Sequence, residues 1–506
     1  ISSIGSNVAL VLNGASAVAN LTSNVSTLSA SLVNGGSITG AYSLNATNGV
    51  TATGGSIASN LIGSGGVAMT GSGSTLTLTG TNTYTGATTL SAGNISISSV
   101  SALGSTSGVS MANGTALLYT GAAGNLTRDI TVTGGTGTIR NSGTGLLTLS
   151  GTLTKNGTTL TLAGGSNGIT VNGSIVGSAA NSDIVIDGGI TTYASANSYN
   201  GPTSIINGGT LNANVTDALP TANGRSAVSL DATGTGGSTL ALGASQSIAS
   251  LTGAASSNVT LGSNTLTIGT SNSSTTYAGR ITGGSSSALV KDGNSTQVLS
   301  GSNTGFSGST TVNAGTLQLA NANALGSNNA AVTVNGGTLL VSTDDAINGK
   351  QITLNGTSTT VATLAFSGNY SGSIGKLTLS ANSIIDLGQG NIGLQFADMA
   401  MGLYSLSIYN WSGTTQYGTT YGTGTDQLYF NGSYNLANVK FYSGAVGSDS
   451  FVATGFDMGL QNTSWDNGLS GQYIIPVPEP ETWATGILLL AASAWWLMKK
   501  TRKAKA

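Results

Sequence analysis

The sequence predicts an all-β body of very short strands stacked in repeating coils, followed by one C-terminal apolar helix. Three observations carry that prediction. Apolar residues alternate with small polar ones over runs of three to five, Gly, Asn or Ser bound most runs, and similar windows recur along the chain. Alternation with period two sends successive side chains to opposite faces of a strand. Gly, Asn and Ser accept turn geometry. Strands this short cannot bury a core singly, but stacked coils can.

Composition narrows the chemistry. The 506 residues include 78 glycines, no histidine and no cysteine, and only 6% are charged. Disulfides, Cys-ligated metals, Cys/His nucleophile pairs and Ser-His-Asp triads are therefore excluded, and neither a metal nor a cofactor is expected. Absence of cysteine is compatible with export. Setting aside the five basic residues after Met498 leaves nine Lys/Arg against sixteen acids, the wrong balance for nucleic acid. Low charge with abundant Gly, Ser, Thr and Asn borders on the composition of disorder. However, 39% apolar residues placed in alternation point to buried structure.

Residues 1–70 read as N-terminal coils and 71–385 as the repeat region. Leu76-Thr77-Leu78-Thr79, Leu160-Thr161-Leu162, Leu266-Thr267-Ile268, Leu317-Gln318-Leu319 and Leu377-Thr378-Leu379 alternate. Ile184-Val185-Ile186 reads instead as a strand buried on both faces. Three windows align. In 73–97, Asn82 and Tyr84 precede Gly86, a short strand and Gly93. In 192–211, Asn197 and Tyr199 precede Gly201 and Gly208. In 297–319, Asn303 and Phe306 precede Gly308 and Gly315, followed by the run Asn323-Ala324-Leu325-Gly326. Each has an aromatic, Gly two residues later, a strand, a second Gly and another strand. Inward aliphatics can stack between coils, Asn can form side-chain ladders, and Gly lets coils approach.

These windows resemble the autotransporter-associated β-strand repeat, most clearly in 297–326. The resemblance explicitly covers about 100 residues and extends over most of 70–385. It implies a right-handed parallel β-helix (a β-solenoid) with coils of 20 to 25 residues, serving as an exported stalk or passenger. A true autotransporter would need a C-terminal outer-membrane barrel built of long alternating strands. This chain finishes in a helix and lysines.

Parallel β-helices can carry polysaccharide-active sites, so carboxylate pairs matter. Asp344-Asp345 and Asp183/Asp187 are the close acidic pairs of the repeat region. Adjacent strand residues face opposite ways, and Asp344-Asp345 reads as a turn. No catalytic residue is assigned, and the chain is expected not to be an enzyme. Rows of Thr-x-Thr on a solenoid can match ordered water, and Thr75/Thr77/Thr79 and Thr131/Thr133 supply such pairs. No strict per-coil Thr-x-Thr register is apparent, which leaves a solvated strand face as the reading.

Residues 386–475 hold fifteen of the twenty-seven aromatics, among them Tyr404, Tyr409, Trp411, Tyr429, Phe430, Phe441, Tyr442, Phe451 and Trp465. Bulky rings suit a cap that covers the last coil, and an aromatic groove for sugar rings is the sharper alternative.

The tail, 476–506, has three parts. The elbow 476–482 holds three of the five prolines and both glutamates, so it stays extended, in the shape a protease or transpeptidase cleft needs. Residues 483–498 are expected to form a transmembrane helix and membrane anchor, spanning roughly 24 Å against a bilayer core of about 30 Å. Trp483 at one end and Trp495 and Trp496 at the other suit headgroup regions. Lys499, Lys500, Arg502, Lys503 and Lys505 form a basic stop in 499–506, which places the body outside the cytoplasm. A buried helix of a soluble domain is the competing reading. The tail resembles the PEP-CTERM sorting signal of Gram-negative bacteria, on Val477, Pro478, Glu479 and Pro480, the apolar segment and the basic end. Glu481-Thr482 departs from the Ser-Thr that often follows. The resemblance implies an exosortase as processing partner and lipid contact before processing. Related tails occur on varied exported bodies, some of them ice-binding.

The expectation is thus a non-enzymatic exported β-solenoid at the cell surface or in the extracellular matrix. Extracellular polysaccharide is its candidate partner. Ile1 opens the chain without Met or a basic-apolar leader, so the true start is expected to lie upstream.

Overall fold

The computed structural model describes residues 9–13, 18–20, 25–28, 30–221, 226–231, 236–269, 273–326, 329–357, 359–412, 426–430, 438–448, 451–454, 462–464 and 470–473. They fall into two compact units, Ile1–Ala288 and Leu289–Ala506. Each is an all-β, parallel β-solenoid.

In the first unit, strands pair in parallel with the strand one coil on. Thr75–Leu78, Asn94–Ile97, Thr115–Tyr119, Thr136–Asn141, Thr159–Ala163, Ile184–Asp187, Thr203–Ile206 and Val228–Leu230 follow one another along one sheet. Gly124–Leu126, Leu147–Leu149, Ile169–Val171, Ile190–Tyr193, Thr210–Ala213, Thr239–Leu242, Asn258–Thr260 and Arg280–Thr282 form a second. Many hydrogen bonds between coils join residues 20 to 25 apart.

Register follows from the alternation. Leu76, Ile95, Leu117, Ile139, Leu162, Ile186, Ile205 and Leu230 occupy one position in successive coils, and all are buried. Each such side chain contributes about 1.5–3 kcal/mol of burial. A one-residue slip would turn the whole column to solvent. Val185 corrects the reading of Ile184-Val185-Ile186. It is half-buried and outward while Ile184 and Ile186 are buried, because the stack supplies only one inner face.

The second unit stacks Thr296–Leu299, Thr316–Leu319, Thr338–Val341, Ala362–Phe366, Ser383–Asp386, Leu406–Tyr409 and Val439–Tyr442. Beside them run Ser309–Val312, Ala331–Val334, Gln351–Leu354, Tyr370–Leu379, Ile392–Ala400 and Gln427–Phe430. The coils therefore continue well past residue 386. Direction then reverses. Phe451–Thr454 lies antiparallel on Val439–Tyr442, and Ser470–Tyr473 antiparallel on Gln427–Phe430. Such strands occupy edges that would otherwise be open.

Among the described residues the helical content is one 3-10 turn, Val100–Leu103, with Ser99 as its N-cap. No helix of the described residues is long and apolar enough to cross a membrane. The expected helix 483–498 lies outside the described residues, as do the elbow 476–482 and the basic stop 499–506.

The two glycines of each repeat do different work. Gly93, Gly208 and Gly315 sit at φ +65°, +69° and +60°, in the left-handed region. A Cβ on Gly86 would meet the backbone of Gly65 and Gly66, and one on Gly201 that of Ser182, in each case one coil back. Gly208→Ala should cost about 1–2 kcal/mol, from backbone strain alone, since nothing lies within 4 Å of its would-be Cβ. Gly93→Ala should cost more, because that Cβ would also meet Gly71 O. Hydrogen exchange of the flanking strands measures both, and equal costs would contradict the close-approach argument.

Candidate functional site

The repeat builds a joint between coils. Asn82, Asn197 and Asn303 are buried, although each sits in a connecting segment between strands. The Asn82 amide nitrogen Nδ2 donates to Ala102 O at 2.6 Å, and its Oδ1 accepts from Leu61 N at 2.8 Å. Asn197 repeats the pattern, donating to Ala218 O at 2.7 Å and accepting from Ile175 N at 2.8 Å. Asn303 Nδ2 donates to Ala324 O at 2.6 Å. The backbone N–H of the same residues reaches Ser101 O, Asp217 O and Asn323 O. One side chain thus ties the coil before it to the coil after it, satisfying backbone groups that burial cuts off from water. The carbonyls it holds belong to Ala102-Leu103, Ala218-Leu219 and Ala324-Leu325, buried pairs in the following coil.

The aromatic fills the core beside this joint. Tyr84, Tyr199 and Phe306 are at most 2% exposed. The Tyr84 hydroxyl bonds Thr88 Oγ1 at 2.7 Å, and that of Tyr199 bonds Thr203 Oγ1 at 2.6 Å. Thr203 Oγ1 in turn meets Ser226 Oγ at 2.9 Å. Burial pushes the Tyr84 phenol up to about 12 and raises Tyr199 further, against the opposing pull of these hydroxyls. Phe306 carries no hydroxyl to satisfy. Gly308 lies between it and the buried Thr310.

Three lysines also point inward. Lys155, Lys291 and Lys350 are 0%, 1% and 2% exposed. Lys155 Nζ donates to Ser182 O and lies 4.4 Å from the Tyr199 ring centroid. Lys291 Nζ donates to the carbonyls of Asp292, Gly293 and Ala314, and Lys350 Nζ to those of Leu325 and Gly326. Burial lowers Lys155 to about 7 and Lys291 to about 8, opposed by Asp183 and Asp292 respectively, and it lowers Lys350 as well.

Asp344, Asp345 and Asp187 each hold a structural partner, whereas Asp183 Oδ1 is buried without a hydrogen bond among the described residues. Asp344 Oδ1 accepts from Ser371 N at 2.9 Å, while Asp345 adopts φ +63° and accepts from Asn348 Nδ2 at 3.4 Å. Asp187 meets Arg140 at 3.5 Å and Asn207 Nδ2 at 2.6 Å. Burial raises Asp183, and Lys155 pulls it the other way. Among the described residues no group of three or more His, Cys, Asp or Glu is placed to hold a metal ion.

Aromatic residues near the C-terminus pack largely against one another. Tyr409 and Tyr442 stack at 4.5 Å with an interplanar angle of 11°, and Trp411 meets Phe441 edge-on at 4.9 Å. Trp411 and Phe441 are buried, and Tyr404 is exposed. Nothing is described of Trp465, nor of the side chains of Tyr429, Phe430 and Phe451.

The Thr-x-Thr pairs named in the sequence do not extend as rows of threonine through successive coils. Thr77 aligns with Ser56 and Ser96, and Thr131 with Ser110 and Thr154, so these columns mix Ser and Thr. Single columns of threonine do occur: Thr148, Thr170 and Thr192 align in the first unit, and Thr311, Thr333, Thr353 and Thr378 in the second. Each is a single column, without a second threonine two residues along each strand. The second escaped the sequence because its coils differ in length.

Comparison with known proteins bears on the same windows. Residues 69–97, 187–213 and 289–319 match the Passenger-associated-transport-repeat family, spanning Tyr84, Tyr199 and Phe306 with their glycines. No curated protein and no solved structure matches the chain. Repeats of this passenger-associated kind on a β-solenoid point to an exported surface protein.

Proposed function

We propose that this protein is an exported, non-enzymatic β-solenoid that acts as a structural or adhesive scaffold at the cell surface or in the extracellular matrix. The observation that carries this reading is the coincidence of three passenger-type repeat segments with buried coil-to-coil joints. A repeat whose distinguishing residues are spent on joining coils serves elongation of the stack. Three of the four candidate acids support the same view, since Asp344 accepts from Ser371 N of the next coil, Asp345 from Asn348 within its turn, and Asp187 meets Arg140. Glycoside hydrolysis needs two carboxylates flanking one bond.

The sorting route belongs to the same proposal. Val477, Pro478, Glu479 and Pro480, the apolar run to Met498 and the basic end make a PEP-CTERM-type signal read by an exosortase. In this route the apolar run holds the chain in the membrane until it is processed, and the solenoid then meets extracellular polysaccharide. Intact-mass measurement of the protein released by cells with a working exosortase tests this. A mature end within 476–482 is expected, and an end far from that segment would overturn the route.

A further inference from the structure

The fold leaves few large hydrophobic side chains in solvent, and one of them stands apart. Leu403 is 93% exposed, whereas no other described hydrophobic of that size exceeds 46%. It adjoins Tyr404, which is exposed too. The two occupy a turn that is pinned in place. Gly402 adopts φ +59°, Tyr404 N–H donates to Met401 O at 3.2 Å, and Ser405 N–H donates to Asn382 Oδ1 of the preceding coil at 2.9 Å. Met401 and Leu406 are buried on either side, so the turn holds Leu403 and Tyr404 outward. No charged residue lies between Met399 and Ser407. Asp398, just before them, is neutralised by Lys376 at 2.9 Å, and the exposed Lys440 stands in register with Ser407 on the next coil.

The chain leaves the solenoid close to this turn. Ile392–Ala400 pairs with Gln427–Phe430, on which Ser470–Tyr473 lies antiparallel. Tyr473 is two strands from Gln395, about 10 Å, and Ala400 is about 17 Å further along its strand, which sets the turn about 20–25 Å from Tyr473. Ten residues lead from Tyr473 to Trp483, a tether of at most about 33–36 Å. With Trp483 at headgroup level, the turn is within reach of the bilayer surface. A leucine and a tyrosine alone cannot hold a protein on a membrane, since even one acyl chain binds only marginally. Tethered, the same contact becomes intramolecular and gains from a high effective concentration. Leucine suits the apolar layer, tyrosine the headgroup boundary, and an exposed lysine anionic lipid.

We propose that the Leu403–Tyr404 turn is a membrane contact that seats the second unit on the bilayer surface while the tail is anchored. The proposal rests on the membrane reading of residues 483–498.

The test reconstitutes the full chain through its tail into vesicles of phosphatidylcholine and phosphatidylglycerol. Each sample carries an environment-sensitive dye on one introduced cysteine, and lipid-borne nitroxides quench a dye that touches the bilayer. Ser405→Cys reports the turn, Leu489→Cys the tail, and Thr333→Cys an outward strand position three coils back. The expected result is quenching at the turn and the tail and none at Thr333→Cys. Leu403→Ser with Tyr404→Ser should cut quenching at the turn at least fivefold and leave the tail unchanged. Both side chains are exposed, so this pair of substitutions spares the fold, which far-UV circular dichroism verifies. Quenching at the tail without quenching at the turn would overturn the contact and leave the anchor standing. No quenching at the tail would overturn the anchor and the contact with it. Turn quenching that survives the serine variant would overturn the assignment to Leu403 and Tyr404. A turn dye shielded from a water-soluble quencher but untouched by the lipid nitroxides would show a second copy covering the turn, and would overturn the proposal too.

Discussion

Asn82→Ala is expected to destabilise its own coil and the two beside it by about 2–5 kcal/mol. The substitution removes two hydrogen bonds and leaves Leu61 N and Ala102 O buried without their partner. An orphaned buried group of this kind costs about 1–3 kcal/mol. Stacked coils need not unfold as one unit, so the readout is native-state hydrogen exchange. Protection should fall most at Leu61 and over residues 100–104, and little in the second unit. Asn355→Ala is the contrast. Its side chain bonds only Asn335 on an exposed ladder, and the cost should stay below about 0.5 kcal/mol. Similar costs at Asn82 and Asn355 would remove the distinction between joint and ladder.

Stability should rise as pH is raised from about 7 towards 10, and Lys155 should be a main reason. Its folded value is lowered to about 7 by burial. Between that value and the ordinary 10.5 the unfolded chain holds a proton that the folded chain does not. Stability therefore increases with pH through this window, by about 1.4 kcal/mol per unit for one group titrating fully. Lys291, lowered to about 8, adds to the slope over a narrower range. Above pH 10 the sign reverses. Tyr84, raised to about 12, stays protonated when folded but ionises in the unfolded chain, and Tyr199 and Tyr277 act likewise. Lys155→Met keeps the volume, removes the charge and leaves Ser182 O without this donor. The variant should be the more stable protein at pH 6 and the less stable one at pH 10, with a difference on the order of 1–2 kcal/mol at each end. Denaturation at both pH values checks this, and parallel stability profiles would show that Lys155 is not desolvated as the fold implies.

Much of this architecture is legible in the sequence, because a solenoid repeats a local rule. Period-two alternation places Leu76 and Leu78 inward and Thr77 outward, and the structure agrees. The aromatic-Gly-strand-Gly windows mark segments that share one geometry, and the turn at Asp344-Asp345 follows from residue type. Two features stayed hidden for a physical reason. Asn82, Asn197 and Asn303 look like turn residues, since asparagine favours turns, and nothing local says that the turn is buried between two coils. Lys155 and Lys291 follow the inward parity of Leu153 and Leu289, but a lysine is ordinarily read as solvated. Only the supply of buried carbonyls, from residues about 25 positions away or across a turn, makes an inward amine tolerable. The threonine column of the second unit was hidden differently, by coil lengths that vary between Thr311, Thr333, Thr353 and Thr378.

The joints, the buried lysines and the threonine columns all depend on stacking in this register. The chain contains no cysteine, so introduced pairs report on it without background. Thr170→Cys with Thr192→Cys, and separately Thr333→Cys with Thr353→Cys, place thiols on directly paired outward residues of adjacent coils. Paired Cα atoms of neighbouring strands lie about 5 Å apart, within the usual disulfide range of 4.4–6.8 Å. Thr170→Cys with Asn212→Cys spans two coils and should be out of reach. Mild oxidation followed by mass spectrometry should find near-complete disulfide in the two adjacent pairs and almost none in the third. Free thiols in the adjacent pairs, or equal cross-linking of all three, would contradict the stack.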